Sequence, residues 1–583
     1  MAARFLPMFH DEMVKLGWRE LDVLLVTGDA YVDHPSYGTA LIGRLLEHHG
    51  YKVGIIAQPD WRRQDDFIRL GRPRLGVLVN AGNVDSLVAN YTANKKLRRE
   101  DDYAPDGRVG KRPDRACIVY ANRLRAAFKG LPVIIGGIEA SMRRLAHYDY
   151  WDNTVRRSLL IDAKADILVY GMGERQVVEI VDRLARGQSC AQINDVRGTV
   201  VAVKAGQEPD GALLLPSYES VAADPLAFNK AFSLAYEEMN PRSGRVLAQP
   251  HGDRVVLQNP PALPLSTLEL DQSYDLPYAR QWHSAYDTCG GVKGFETVRW
   301  SITVVRGCSG ECSFCGLAMH QGRVIQSRSQ ASILNEVRRI AKDPAFRGTI
   351  TDVGGPTANL YGASCRNWDN GGPCRDKQCI MPERCPALKA GYDQCLALYR
   401  AIRQVPGVKH VFIGSGLRYD LLLEADADEY FRELCEYHVS GQMKVAPEHT
   451  DDKVLALMNK PPHAKYEEFV RKFERVNQTL KSRQYLANYF ITGHPGCGLN
   501  EAYNCAVTLK KRAMRPEQVQ DFIPLPMTVS SCMYHTGVHP FTGVKVYVPK
   551  NIQEREMQRA LIQPQNARSA PFIEKALRIL GKR

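Results

Sequence analysis

No stretch of this 583-residue chain approaches the roughly 18 uninterrupted apolar residues of a membrane span. An export signal is missing too: the opening MAARFLPMFHDEMVKLGW places charges where a signal peptide needs an apolar core. No internal repeat of fixed period is present, which sets aside solenoids and propellers. Apolar residues make up 44% and charged residues 24%, ordinary globular usage that excludes wholesale disorder, collagen and low-complexity scaffolds. These absences point to a cytoplasmic protein with no membrane partner, of about three domains at ~100–200 residues each. The formal charge of +13 is a moderate excess. It allows RNA, DNA or another polyanion as partner without requiring one, and a well-solvated basic surface is the favoured explanation.

What the chain does have is cysteine. There are 15, and seven of them lie between Cys308 and Cys385. Without an export signal the expected compartment is reducing, so clustered thiols point to metal or catalysis rather than cross-links.

Along the chain, LDVLLVTG, YKVGIIAQP, RLGVLVNAG, LPVIIGG and ADILVYG read as strands, with helical patterns between them. Continuous apolar strands are buried on both faces, so residues 1–195 are expected to form a Rossmann-like, doubly wound parallel sheet. Within it, the Lys-, Arg-, Asp- and Pro-rich segment 91–116 reads as an exposed arm. Residues 196–294, punctuated by Pro260, Pro261, Pro264 and Pro277, read as a connector with short strands. From 295 to 543 six strand candidates alternate with five helical patterns. This fits a partial (β/α)6 barrel, and a second doubly wound sheet would give the same pattern. A Cys-rich insertion occupies 361–395. Residues 544–583 read as a basic tail with one helix, APFIEKALRIL.

Directly after the first strand of the second half stands VVRGCSGECSFCGLA, with Cys308, Cys312 and Cys315 at spacing C-x3-C-x2-C. Three soft thiolates on one tight loop suit an iron–sulfur cluster. A four-iron cube held at three corners keeps one iron open to an exchangeable ligand. The alternative is a zinc knot, with His320 as fourth ligand. A second group, CRNWDNGGPCRDKQCIMPERC, holds Cys365, Cys374, Cys379 and Cys385, with Cys395 further on. Four thiols in a loop with little core of its own point to an organising metal, either zinc or an auxiliary cluster, the alternative being thiols packed in a small subdomain or a redox-labile pair.

The first motif, with aromatic Phe314 before its third cysteine, resembles the signature of the radical S-adenosylmethionine (SAM) superfamily. That resemblance implies a [4Fe–4S] cluster on Cys308, Cys312 and Cys315, SAM on the open iron, and reductive cleavage to a 5′-deoxyadenosyl radical. It also implies SAM-binding roles at strand ends. Gly354 and Gly355 of TDVGGPTAN would let backbone approach the amino group, although Pro356 replaces the usual acidic residue. Ser415 and Arg418 of IGSGLRYD would bind the carboxylate. Glu448 and His449 of KVAPEHTDD would face ribose or substrate, and His494 and Gly496 of ITGHPG end the next strand. The N-terminal half resembles the cobalamin-binding domain of some superfamily members. Its D-x-H-x-x-G motif is altered here to DHPSYG, from Asp33 to Gly38. The departure removes the expected lower-ligand spacing; since some radical SAM relatives bind cobalamin without a histidine ligand, cobalamin stays possible but is the less favoured reading, beside a Rossmann-like domain kept for substrate binding or packing.

Over its whole length the chain resembles the YgiQ family of radical SAM proteins. The resemblance rests on VVLQNPPALPLSTLELDQSYDLPYAR, GCSGECSFCG, DVGGPTANLYG, GSGLRYDLL, VAPEHT and DFIPLPMT. It implies an enzyme needing an electron donor such as flavodoxin or ferredoxin, and it names no substrate; RNA or protein both suit the charge. Methyl transfer would need cobalamin or a methylatable cysteine, whereas the second cysteine group favours sulfur insertion or electron relay. Competing readings are an RNA-associated protein or RNA-modifying enzyme with structural metals, and an iron–sulfur redox sensor.

Overall fold

A computed structural model describes residues 4–582; the first three residues of the chain and the last lie outside the described residues. The chain divides at Arg299/Trp300 into two units, the first also taking in Met319–Gln321.

The first unit is built on the expected apolar runs. Strands β1 (Val23–Thr27), β2 (Val53–Ala57), β3 (Gly76–Asn80), β4 (Val133–Gly136) and β5 (Ile167–Val169) pair in parallel in the order β2-β1-β3-β4-β5. Every residue of β1 and β2 is buried, as strands covered on both faces must be. Helices α1 (Gly38–His48), α2 (Ala116–Ala127) and α3 (Glu174–Ala185) lie between strands in the chain. The strand order reverses between β1 and β3, the position where open α/β sheets form a crevice.

Segment 196–294 does not stand as a connector of its own. Its strands β6 (Thr199–Lys204), β7 (Leu213–Leu214), β8 (Leu247–His251) and β9 (Arg254–Gln258) extend the same sheet to nine strands, with β6 antiparallel to β5 and β9 antiparallel to β6. The arm at 91–116 is also not simply exposed. Arg112 is buried, with Nη2 2.5 Å from Asp29 Oδ1, Nη1 3.3 Å from Asp101 Oδ2 and Nε donating to the Gly28 carbonyl at 3.2 Å. Asp29, distant in sequence, and Asp101 of the same segment make that arginine's burial tolerable.

The second unit resolves the ambiguity left by periodicity. Strands β10 (Ser301–Thr303), β11 (Thr349–Ile350), β12 (Asp352–Gly354), β13 (His410–Val411), β14 (Gln442–Glu448), β15 (Tyr485–Thr492) and β16 (Gln518–Asp521) are all parallel. β10 pairs with β12, β11 with β13, Leu417 bridges to Val445 of β14, and β14-β15-β16 follow in order. Sequential neighbours are therefore spatial neighbours, as in a partial (β/α)6 barrel and unlike a sheet whose order reverses. Helices α4 (Gln330–Ala341), α5 (Tyr392–Arg403), α6 (Asp428–Glu433), α7 (His463–Leu480) and α8 (Leu499–Lys511) intervene. Their apolar stripes, such as Ile333, Val337 and Ile340 of α4, join Ile302, Ile350, Val353 and Val445 in one core.

After β16 come α9 (Val529–Thr536), α10 (Ile552–Ile562) and α11 (Ala570–Ile579). The tail thus carries two helices, one more than its sequence announced. Met557 and Leu561 of α10 and Ala576 of α11 pack with Val454, Leu455 and Met458. Gln558 accepts from the Gly493 amide at 3.0 Å and donates to the Cys497 carbonyl at 2.8 Å, fastening the loop after β15. Among the described residues no helix is long and apolar enough to cross a membrane.

Candidate metal centre

The C-x3-C-x2-C loop leaves the C-terminal end of β10 and folds back on itself. Val305 and Arg306 pair antiparallel with Ser327 and Gln326. Gly307 makes the turn at φ +83°, and a Cβ there would fall 2.1 Å from the Val324 carbonyl oxygen, so only glycine fits. The Cys308 amide donates to the Gly322 carbonyl at 3.1 Å and Ser309 Oγ to the Arg323 carbonyl at 2.8 Å. On the other side Ser313 N donates to the Met458 carbonyl at 3.0 Å, and Asn459 Nδ2 to the Glu311 carbonyl at 2.9 Å. The Ser313 carbonyl accepts from Ser530 N at 2.9 Å. The thiols are therefore presented by a backbone pinned from several elements.

All three thiols are half-buried. Cys308 Sγ lies 3.5 Å from Thr357 Oγ1, the Leu317 amide donates to Cys315 Sγ at 3.5 Å, and Arg418 Nη1 donates to Cys312 Sγ at 3.7 Å. Burial pushes the Cys315 thiol up to about 12, and the neighbouring Cys312 and Cys308 add to it. Burial also raises Cys312, where the Lys460 ammonium and Arg418 guanidinium pull the other way. Two cations thus favour the thiolate at the centre of the motif.

Among the described residues, no three His, Cys, Asp or Glu side chains converge on the position of a single ion. A zinc knot demands such convergence, with sulfurs ~2.3 Å from one centre. His320, its required fourth ligand, has Nδ1 3.0 Å from Ser141 Oγ. A cube makes a different demand, each sulfur binding its own iron, and the Arg418 and Lys460 cations beside Cys312 suit a thiolate ligand there.

The residues expected to contact SAM have other partners. A Cβ on Gly355 would fall 2.3 Å from the Val305 carbonyl oxygen, so close backbone packing already requires that glycine, and one on Gly354 would fall 2.6 Å from Ser415 Oγ. Ser415 Oγ donates to Asp352, whose Oδ1 also accepts the Ser415 and Gly414 amides at 2.9 and 2.7 Å. Arg418 spends its two-donor face on Asp420, Nε at 2.9 Å and Nη2 at 2.6 Å. Its backbone amide and carbonyl both bond the Asn359 side chain at 3.0 Å. Buried Glu448, at φ +66°, has Oε1 3.7 Å from Lys460 Nζ; burial raises its carboxyl and Lys460 opposes the rise. Phe314 packs with Val454, Leu455 and Met458, its ring edge-on to His494 at 6.2 Å. His449 and His494 are buried, burial holding them down to about 4 and about 3. His449 Nδ1 accepts from the Asp451 amide at 3.0 Å, and His494 Nε2 is 2.6 Å from Ser530 Oγ.

Sequence reasoning missed Asp352, Asn359, Asp420 and Lys460. Asp352 and Asn359 lie within TDVGGPTAN and Asp420 ends IGSGLRYD, so three of the four lie inside recognised motifs, where a polar residue at a strand end is a usable signal. Lys460 sits in a loop that no pattern marks.

Cobalamin is tested against the first unit. His34 is 1% exposed; its Nδ1 accepts from the Ser36 amide at 3.1 Å, and its Nε2 is sealed in protein without a hydrogen bond. Burial holds it well below the ordinary imidazole range. Asp33 is committed to Arg44 of α1, and Arg112 holds Gly28 and Asp29 in the loop after β1. These residues do not fit a corrinoid bound through an imidazole lower ligand.

Comparison with known proteins agrees with this architecture. Residues 5–301 match the radical SAM N-terminal family, 302–502 the radical SAM superfamily, and 517–583 a domain of unknown function, DUF3362. A UPF0313 protein of Methanocella arvoryzae is 50% identical over 570 residues, covering 98% of this chain and 94% of its own. One from Clostridium botulinum is 50% identical over 559 residues, covering 96% and 87%. Among solved structures, the radical SAM methyltransferase TsrM from Kitasatospora setae aligns at TM-score 0.46 and 16% identity, covering 87% of this chain and 75% of that one. The cobalamin-dependent SAM radical enzyme OxsB aligns at 0.47 and 9%, covering 87% and 54%. Both are too remote to bear on this chain's ligands. The full-length identity to these relatives and the two domain matches place the chain in the UPF0313, or YgiQ, family of radical SAM proteins.

Proposed function

We propose that this protein is a radical SAM enzyme in which Cys308, Cys312 and Cys315 hold a [4Fe–4S] cluster with SAM on the fourth iron. The observation that carries the reading is the pinned loop at the C-terminal end of β10, its three spaced thiols set beside Arg418 and Lys460. Strand C-terminal ends are where barrel enzymes assemble their chemistry. Bound there, a reduced cluster would supply the electron for reductive cleavage of SAM, chemistry that yields a radical able to take hydrogen from an unreactive C–H bond.

The chain's own residues prepare that site. Arg418 and Lys460 set positive charge against the sulfur of Cys312 and offset the negative charge of a thiolate-bound cluster. Asp420 and Asn359 hold Arg418 in place, and Glu448 holds Lys460. Asp352 gathers the Gly414 and Ser415 amides, fixing the turn after β13. With the carboxylate-binding face of Arg418 taken by Asp420, SAM would be held chiefly by backbone groups at the strand ends and by the open iron. Phe314 and its apolar neighbours shield the loop from water. A one-electron donor of the flavodoxin or ferredoxin class would complete the system.

Electron paramagnetic resonance of the anaerobically reconstituted, dithionite-reduced protein tests this reading. SAM is expected to change the signal of the reduced cluster, because it binds iron directly. A signal unchanged by SAM, with iron retained, overturns it.

A further inference from the structure

We infer that the insertion at 361–395 carries an anion-binding cavity, in which Arg366, Lys377 and Lys389 take a phosphate group of the ligand. The cavity has a volume of about 820 Å³, inside the roughly 300–1,000 Å³ of small-molecule sites. Its three cations stand against a single acid, Asp369, which leaves the wall a net charge of +2. Among the described residues none of these three cations is spent in an ion pair. Arg384 of the same insertion gives the contrast, with Nη1 2.8 Å from Asp426 Oδ2 and Nη2 3.8 Å from Glu424 Oε2. Acids outside the insertion thus neutralise the cation that lies off the cavity and leave those within it free. A cleft lined by one sign of charge focuses its field and draws counter-ions in.

The wall that carries these charges is fixed. Ser364 and Lys389 exchange two backbone hydrogen bonds, of 3.0 and 2.9 Å, which set Lys389 beside the start of the insertion and so near Arg366. Trp368, Ile380 and Leu388 are buried in one core with Ile302, Ile350 and Val353 of the barrel strands. The cations therefore stand on anchored backbone, and little ordering is left for binding to do. Among the described residues no three metal-ligating side chains converge. Cys365 and Cys385 line the cavity as free thiols, so its charge is what selects a ligand.

That charge suits phosphate. A carboxylate brings one negative charge, whereas a phosphate monoester brings about 1.5–2 near neutral pH, with three acceptor oxygens. The guanidinium fork of Arg366 matches two of those oxygens, and the lysines act as point charges. Among the described residues no aromatic ring lines the cavity, so a nucleobase finds nothing there to stack on. The phosphate itself is what is recognised, whether it belongs to a phosphorylated small molecule or to an RNA backbone.

The insertion follows β12, which pairs in parallel with β10, the strand that leads into the C-x3-C-x2-C loop. Both loops therefore leave the same side of the barrel. Arg323 links them: its Nε lies 2.9 Å from Glu311 Oε2 of the cysteine loop, and its Nη2 donates to the Cys374 carbonyl at 3.1 Å. This inference rests on the proposed function for its meaning. The phosphate is the non-reacting handle by which a substrate is anchored on the face where the radical forms.

The test is calorimetric titration of the full chain with ribose 5-phosphate, beside fluorescence anisotropy with a labelled ten-nucleotide single-stranded RNA, both without SAM or reductant. An Arg366→Gln, Lys377→Gln, Lys389→Gln variant should bind about a hundredfold more weakly than wild type. Asp369→Asn should bind several-fold more tightly. An Arg475→Gln, Lys510→Gln, Lys511→Gln variant, altered at exposed cations of α7 and α8, should bind as wild type does. This pattern with ribose 5-phosphate assigns the cavity to a phosphorylated small molecule; the same pattern with RNA alone assigns it to the backbone. Binding of neither probe, or an equal loss in the α7–α8 variant, overturns the inference. Should the first variant not fold, Asp369→Asn decides: tighter binding supports the inference and unchanged binding overturns it. Phosphate binding without 5′-deoxyadenosine formation would defeat the proposed function alone, and the reverse result would defeat this inference alone.

Discussion

Replacing Arg418 by methionine separates what this residue does for the fold from what it does for the cluster. Arg418 is 7% exposed and makes two hydrogen bonds, of 2.9 and 2.6 Å, to the largely buried Asp420. Burial alone would raise the Asp420 carboxyl; Arg418 outweighs it and holds the group below the usual carboxylate range. Taking the arginine away leaves that carboxylate without its countercharge, which costs about 3–5 kcal/mol. Adding Asp420→Asn removes the orphaned charge and should return stability to within about 1 kcal/mol of wild type. Yet the double variant still lacks the cation 3.7 Å from Cys312 Sγ. At an effective dielectric of ~20, a unit charge at that distance is worth about 4 kcal/mol to a thiolate. Solvent at a half-buried sulfur screens part of this, so the double variant should lose iron about a hundredfold faster. The assay is iron release to a ferrous chelator under anaerobic conditions, beside thermal unfolding of the same samples. A double variant that folds normally and keeps iron as long as wild type would refute the electrostatic role given to Arg418.

The pair Lys460 and Glu448 makes a parallel case: Lys460→Met should destabilise the full chain by about 3–5 kcal/mol, and adding Glu448→Gln should recover most of it; urea unfolding without recovery would contradict the buried pair. Gly355→Ala places a methyl 2.3 Å from the Val305 carbonyl oxygen and should cost about 1–3 kcal/mol by overpacking; wild-type thermal stability would show that the glycine serves only a ligand. In the first unit, burial pushes the Asp29 carboxyl up to about 6 against the pull of Arg112. The folded state then binds this proton more tightly than the unfolded state, so the stabilising proton is fully present below about pH 4 and lost as pH rises through about 6, a loss of about 3 kcal/mol. Asp29→Asn removes that slope and should gain on wild type by this amount between pH 4 and pH 7; the opposite slope in urea unfolding would mean that Arg112 outweighs burial.

The parallel strands were legible because burial on both faces leaves a continuous apolar run, as in VLLVT and VGIIA. The cysteine loop was legible because its spacing lies within one turn of chain. Less visible was whatever depends on a partner far away in sequence. β6 and β9 carry strand-like residues, but nothing local says that they extend the sheet of β1–β5. Arg112 sits in a run of charges that reads as solvated, and only Asp29 and Asp101 explain its burial. Helix α10 is rich in Gln, Glu and Arg, so its few apolar residues did not stand out from a basic tail. Ser415, Arg418 and Glu448 were recognisable as polar groups at strand ends; their commitment to Asp352, Asp420 and Lys460 was not, because hydrogen-bond partners carry no sequence pattern.

The central claim is most directly tested by incubating anaerobically reconstituted protein with SAM and dithionite and quantifying 5′-deoxyadenosine by chromatography. The account predicts its formation by wild type and its absence from the variant lacking Cys308, Cys312 and Cys315. No nucleoside from a wild-type sample that holds its full iron would contradict it.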